Sequence, residues 1–487
     1  MQAASMQFSP TLAENVRQMQ AIFQGDSTFI YRSVENAAGT LSCAVFFLDG
    51  MVDSQLMGET VLRPLAQWHG KEPVTSQMLA TRILQANESK VVTTIQDMFN
   101  AILYGDTVVF AEGCPHPAVV NTKGFALRST AEPDNEKVIQ GSREGFTEGF
   151  MTNLSMIRRR LTLPDLKFTF RKLGSQSNTT VSLCYIDSLC DKSVLEELNR
   201  RLDSFTLDSA LDSNYIAEWI ADAPYSPFPT IGTTERPDVV AAKLLEGRVA
   251  LVCDGTPTVL TLPHVFQESF QSNDDYYANF LYTNIGRILR IAGFFLTVSI
   301  PAVYVALMTY HSEMLPTKLL FSVAAARGGV PFPTLLETLV LLLVFEILKE
   351  AGTRTPGNFG QTLSIVGALV LGQAAVEARF VSAPLVIIIA FSGITALMVP
   401  KLKTAASLLR LFLLLMAAVL GLYGYILGIS LILLHLCSLE SFSIPFLVNF
   451  LSVNTQSRED VFLRYPWFRM KRTHRFLASR KNREDMR

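Results

Sequence analysis

The chain is poor in the side chains that perform covalent and metal chemistry. In 487 residues there are six histidines and six cysteines. Cys114 with His116, and Cys184 with Cys190, are too sparse for a closed zinc site, which takes four ligands. The cysteines, at 43, 114, 184, 190, 253 and 437, have no framework spacing and read as reduced, buried small hydrophobes of a cytoplasmic protein. A Walker loop, a dinucleotide glycine fingerprint, HExxH and a GxSxG elbow are all missing. The reading is therefore of a non-enzyme, with no catalytic residue, metal or cofactor. Charge is scarce as well: 17% of residues are charged and the formal net charge is -1, which gives no attraction for nucleic acid. The first thirty residues lack a basic segment followed by a continuous apolar core, so no cleaved secretory signal is expected.

What is present falls into two unlike halves, most charged side chains lying before Ile291 and the apolar residues crowding after it. In the first half, LSCAVFFLDGMVD (41 to 53) resembles VSLCYIDSLCD (181 to 191): Phe47-Leu48-Asp49 matches Tyr185-Ile186-Asp187, with Asp53 and Asp191 four positions beyond each first aspartate. Each is a β-rich run ending in a polar turn. The second passes into a helix with Val194, Leu195, Leu198 and Leu202 at helical spacing, the first into a less regular helical stretch, Leu56 to Trp68. Two related α/β subdomains are expected, 35–125 and 165–290, the latter with a membrane-proximal linker. A 1–34 extension precedes them and a helical connector, 126–164, joins them. Asp49 and Asp187 read as turn-capping residues. Pro237 should open a helix to Leu245 with Gly247 at its end, before a strand from Val249. Arg158, Arg159 and Arg160 end the connector helix and form a candidate interface for lipid phosphate or an acidic partner, against the plainer reading of a solvated face.

The second half, 291–453, reads as an all-α transmembrane bundle. Residues 291 to 309 carry no charge and nearly span a ~30 Å hydrocarbon core at about 1.5 Å per residue, with Pro301 near the middle. His311 to Thr334 is mixed and suits an interfacial or re-entrant segment. The next run, 331 to 350, contains Glu337 and Glu346, carboxylates costly in lipid that belong toward a pore, a cavity or a protein surface. Nine residues apart, they lie about 180° around an ideal helix. Gly360, Ser364, Ala368 and Gly372 form a four-residue stripe for close helix packing. Val381 to Val399 is a further span. Leu411 to Leu436 is too long for one span and short for two. A signal-less start and a basic tail, 454–487, both favour the cytoplasmic side and so an even number of crossings, four to six. Three routes satisfy this: a hairpin at Gly421, Gly424 and Gly428; a return through 440 to 453; or a re-entrant earlier run.

Several blocks carry a resemblance: EPDNEKVIQGSREGFTEGFMTNLSMIRRRL (132 to 161), PFPTIGTTERPDVVAAKLLEGRVALVCDGTPTVLTLP (227 to 263), FQSNDDYY (270 to 277), LPTKLLFSVAAARGGVPFPTLLE (315 to 337) and GQTLSIVGALVLGQAAVEARFVSAP (360 to 384). From about residue 35 to 455 the chain resembles the A subunits of nutrient germinant receptors, the GerA spore germination family. The resemblance implies a subunit in the spore inner membrane, with its soluble part facing the cytoplasm. Its implied partners are a transporter-like B subunit, a lipoprotein C subunit, membrane lipid and copies of itself. It also implies a cation-conducting path, with Glu337, Glu346, Gly360, Ser364, Ala368 and Gly372 as candidates for pore lining or helix packing. Rival readings are a secondary transporter, for which no inverted repeat is visible after residue 291, and a non-conducting assembly subunit.

Overall fold

The computed structural model describes residues 6–70, 72–124, 133, 136, 138–354, 370, 372–448, 460 and 462–469. The first part holds two five-stranded antiparallel sheets. Sheet one contains β1 (Phe29–Glu35), β2 (Ser42–Leu48), β3 (Ser89–Val91), β4 (Thr107–Ala111) and β5 (Ala118–Val120), in spatial order β1-β2-β4-β5-β3. Sheet two contains β6 (Leu166–Leu173), β7 (Thr179–Ile186), β8 (Gly232–Thr234), β9 (Val249–Cys253) and β10 (Val259–Leu262), in order β6-β7-β9-β10-β8. Strand for strand, the two orders are the same. The matched segments 41–53 and 181–191 supply the second strand of each sheet, with Leu48 and Ile186 as the last strand residues.

Both sheets are covered by helices on both faces, which is why their central strands are apolar without alternation. Along β2, Cys43, Val45 and Phe47 face one core and Ala44, Phe46 and Leu48 the other. The second core includes helix α1 (Leu12–Ile22) and helix α2 (Ile95–Leu103). In sheet two, Val181 and Leu183 meet helices α4 (Lys192–Asp203) and α5 (Ser213–Ile220). Cys184 and Ile186 meet α3 (Phe150–Arg160) and α6 (Pro237–Leu245). The repeated aspartates cap: Asp53 accepts from the Gln55 and Leu56 amides, Asp191 from the Ser193 amide.

Two boundaries differ from those the sequence suggests. Residues 12–35 are part of the first sheet unit, not an extension, because stacked Phe23, Phe29 and Phe46 lock them onto it. The helix ending in the three arginines belongs to the second unit, because Leu154 and Ile157 bury against Phe168 and Ile186. The bulky apolar face of α3 needs a core, and the sheet supplies it.

The remainder is helical. Among the described residues, two stretches are long and apolar enough to cross a membrane, Phe280–Thr309 and Pro400–Ser438. The first is α7, thirty residues running through Pro301, about 45 Å by helical rise. It begins eleven residues before the apolar run, since the mixed segment Phe280 to Arg290 forms the first turns of the same helix. Then come α8 (Thr317–Arg327), α9 (Thr334–Arg354), α10 (Ala383–Ala396) and α11 (Lys403–Ser438). At 14 residues, α10 is shorter than the span expected there.

The last helical stretch is folded at Gly421, whose φ of 62° and ψ of -142° belong to neither helix. A Cβ on Gly428 would lie 2.7 Å from Leu413 Cδ2, and one on Gly424 would lie 2.1 Å from the Met416 carbonyl oxygen. Residues fifteen apart lie about 22 Å apart along a straight helix, so these contacts define a tight glycine hairpin, the first of the three routes left open by the sequence. Its tip meets the end of α7, where the Tyr310 hydroxyl donates to the Ala418 carbonyl at 2.8 Å. Both open ends return to the soluble side: Leu402, Leu436 and Leu439 share a core with Phe266 and Phe270. Of the apolar stretch 440 to 453, residues 440–448 are described and form no membrane helix. Glu440–Ser441 and Ile444–Pro445 pair as a small β-ribbon whose Phe442 buries in the second sheet unit.

Candidate functional site: the junction between soluble units and helices

The turn Phe266–Phe270 lies between the second sheet and the helices. It buries Glu268, whose carboxylate takes Lys243 from α6 at 2.6 Å, His264 at 3.2 Å and the guanidinium of Arg248. Burial alone would raise the Glu268 pKa, but Arg248, Lys243 and His264 outweigh it and hold the carboxyl well below the usual carboxylate range. His264 is pushed the other way, its burial outweighing the pull of Glu268 and favouring the neutral ring. Beside this cluster is a cavity of about 490 Å³ bordered by Thr233, Asp238, Lys243, His264 and Lys401. Nothing in the local sequence FQESFQ marks Glu268 as central, because its two cationic partners, Lys243 and Arg248, come from the segment around α6.

A second cluster ties the tail to the start of α7. Arg287 is fully buried between Asp275 at 3.3 Å and Asp460 at 2.8 Å. The Tyr276 hydroxyl donates to Asp460 at 2.7 Å, and Arg464 donates to the Asp275 carbonyl at 2.6 Å. Asn284 and Arg464 exchange side-chain and backbone hydrogen bonds at 3.1 and 2.6 Å. The tail residues 460 and 464 are therefore held at the same end of the helices as the soluble units.

The two carboxylates of α9 stand nine residues apart, about 13 Å along the helix axis. Glu346 faces the soluble end and pairs with Arg410 of α11, Lys349 at 3.2 Å and the Ser407 hydroxyl at 3.1 Å. Glu337 lies at the other end, 1% exposed, and accepts from the Ser382 amide. Between them, the Thr297 and Thr395 hydroxyls meet at 2.8 Å and Ser392 donates to the Thr297 carbonyl at 2.9 Å, joining α7 to α10. Gly372 is buried, and a Cβ there would touch Val386 Cγ1 at 3.5 Å, an ordinary packing distance. Gly360, Ser364 and Ala368 lie outside the described residues.

The three arginines do not share a solvated or lipid-facing surface. Arg158 is 1% exposed and bridges Asp26 of the first unit at 2.6 Å. Arg159 and Arg160 both reach Glu144, at 3.2 and 2.8 Å. Two carboxylates thus meet the three charges, Asp26 from 132 residues away and Glu144 from the segment just before the helix. Asp49 accepts from the Gly50 amide and Asp187 pairs with Lys192, so the repeated strand-end aspartates serve turns. Among the described residues, no group of three or more His, Cys, Asp or Glu side chains converges to hold a metal ion.

This arrangement defines a membrane-associated protein whose two-sheet α/β region is joined to apolar helices through buried ion pairs. Residues 17–476 match the family model described as the Bacillus/Clostridium GerA spore germination protein, and the chain belongs to that family. It is 40% identical over 466 residues to the uncharacterized membrane protein YfkQ of Bacillus subtilis strain 168, covering 95% of this chain and 91% of that one. Spore germination protein KA of the same strain is 40% identical over 464 residues, with 94% and 85% covered. Spore germination protein GerLA of Bacillus cereus is 35% identical over 478 residues, with 98% and 97% covered. The crystal structure of the N-terminal domain of the A subunit of the Bacillus megaterium spore germinant receptor GerK3 aligns at a TM-score of 0.40 and 28% identity, over 54% of this chain and 98% of that chain.

Proposed function

We propose that the chain is the A-type subunit of a nutrient germinant receptor in the spore inner membrane, triggering germination in company with a transporter-like B subunit and a lipoprotein C subunit. The observation that carries the reading is the family match over 17–476, which spans the soluble units, the helices and part of the tail. In this reading the soluble units and the tail face the spore core, and the glycine hairpin supplies two of an even number of crossings. The docking of Asp460 and Arg464 beside the soluble units favours that topology. The identical strand order of the two sheets favours one α/β unit used twice.

Oligomers of the subunit would conduct monovalent cations on nutrient sensing, with α9 and the small-residue stripe near the path. One observation favours a second, non-conducting assembly role: Glu346 and Glu337 both have cationic neighbours in the same chain, Arg410 and, at 4.0 Å, Arg327. Deleting the gene and restoring it tests the receptor role, with nutrient-triggered loss of spore refractility as the readout; germination unaffected by the deletion in every nutrient mixture would sink it. Recording conductance from the assembled receptor in bilayers, beside Glu337→Gln and Glu346→Gln, separates the two roles. Unchanged currents in both variants would remove the carboxylates from the path, and no current in any activated assembly would favour the assembly role.

A further inference from the structure

The end of the helical layer remote from the soluble units gathers buried polar atoms that leave hydrogen-bonding capacity unused. Glu337, in the first turn of α9, accepts the Ser382 amide on Oε1, but its Oε2 has no hydrogen-bond donor. Ser382 stands at the N-cap of α10, where a serine hydroxyl ordinarily caps its own helix. Here it makes no cap bond, and Oγ is buried and unsatisfied. Tyr304 of α7 packs in the same apolar cluster as Leu335 of α9 and Leu385 of α10, and its buried hydroxyl completes no hydrogen bond. Three oxygens from three helices thus converge in one buried place.

Such atoms are expensive in an apolar layer, and native structures keep few without reason. Among the described residues, the cation that pairs with Glu337 is Arg327 at the end of α8. Its Nε stands 4.0 Å from Glu337 Oε2, too far for a hydrogen bond, and its side chain is a quarter exposed. Gly328 and Gly329 follow it, Gly329 at a φ of +96°. The carboxylate is therefore neutralised in charge but not engaged in direction.

The geometry points to an alkali-cation site formed by Glu337 Oε2, Ser382 Oγ and Tyr304 Oη, from which the ion and the Arg327 guanidinium displace one another. Carboxylate and hydroxyl oxygens select hard cations. One carboxylate balances one positive charge, so a monovalent ion can replace the guanidinium without leaving net charge buried, whereas a divalent ion cannot. The positive N-terminus of α10 lies on Oε1, opposite the ion, and fixes the carboxylate's orientation. The site deepens the conduction reading and rests on it for its biological use, but equilibrium binding tests it separately.

The test is saturable binding of ²²Na⁺, with K⁺ as competitor, to the purified full chain in nanodiscs of neutral lipid. Arg327→Gln should bind at least tenfold more tightly than the parent. Ser382→Ala and Tyr304→Phe, made in that background, should each weaken binding several-fold, and Glu337→Gln should abolish it. Melting curves and a monodisperse elution profile check that the variants fold. If Glu337→Gln does not, the Ser382→Ala/Tyr304→Phe pair carries the same comparison. No saturable binding even in Arg327→Gln, or binding undiminished in the folded oxygen variants, overturns the site. Binding retained in a receptor that passes no current counts against conduction alone; current without saturable binding counts against the site alone.

Discussion

Arg158 donates to Asp26 at 2.6 Å across 132 residues of sequence, with side chains 1% and 0% exposed, and so ties the second sheet unit to the segment that opens the first. The same guanidinium reaches Thr28 and stacks on the Phe168 ring. Removing one partner of a buried pair strands the other charge, at a cost of about 3–5 kcal/mol. Arg158→Ala should lower the unfolding midpoint accordingly, while Arg158→Met with Asp26→Leu should recover much of the loss. A midpoint unchanged in the single variant would refute a structural role.

The hairpin gives a sharper expectation. Gly421 occupies a conformation nearly closed to other residues, at about 1–3 kcal/mol for a substitution, and a Cβ there would also meet His311 at 2.7 Å. Gly421→Ala should therefore destabilise more than Gly428→Ala, where the clash is with the flexible end of Leu413. Thermal melting in detergent, followed by helical circular dichroism, reads the order of the two.

Glu346 and Arg410 bring α9 and α11 together at the soluble end. Glu346→Arg places two guanidinium groups side by side and should impair folding and membrane accumulation; adding Arg410→Glu should restore most of it. Quantifying folded protein by fluorescence-detected size exclusion checks the pair. Equal yields for single and double variants would disconnect the two residues.

Acid should loosen the junction first. Glu268 is held below its ordinary 4.5, so its contribution is fully present above about pH 4.5 and fades as pH falls through the folded value. His264, buried and favoured neutral, works in the same direction, its contribution fading as pH drops below 6.5. Glu268→Gln should thus be less stable at pH 7 and show a flatter decline on acidification. Melting temperatures from pH 7 to pH 3 measure this, and a parallel decline in both proteins would exclude Glu268.

Thiol labelling reports both burial and sidedness. Five cysteines are buried and Cys437 is exposed, and burial pushes the Cys43, Cys184, Cys190 and Cys253 thiols up to about 12. Native protein should take up maleimide at Cys437 alone, as read by intact mass. In a Cys437→Ser background, Leu211→Cys and Leu463→Cys should label from the same face of oriented vesicles. Labelling from opposite faces would overturn the placement of the tail.

Much of this was legible in order along the chain, because local patterns are set by nearby residues. Matching β-rich runs and turn aspartates marked the strands of residues 41–53 and 181–191 as equivalent, Pro237 and Leu245 bounded α6, and the apolar run from Ile291 marked α7. The glycines at 421, 424 and 428 announced an irregularity without saying which. What remained hidden depends on partners remote in sequence. Three adjacent arginines look like one surface until Asp26 takes Arg158 inward and Glu144 pairs with the other two. Glu268 is unremarkable until Lys243, Arg248 and His264 surround it, and Glu337 acquires Ser382, Tyr304 and Arg327 only when four helices meet. Sequence by itself determined which segments are apolar, where they turn and which family the chain resembles. Tertiary structure decided which charges face one another, because Coulombic and hydrogen-bond energies depend on distances in space, which separation along the chain does not fix.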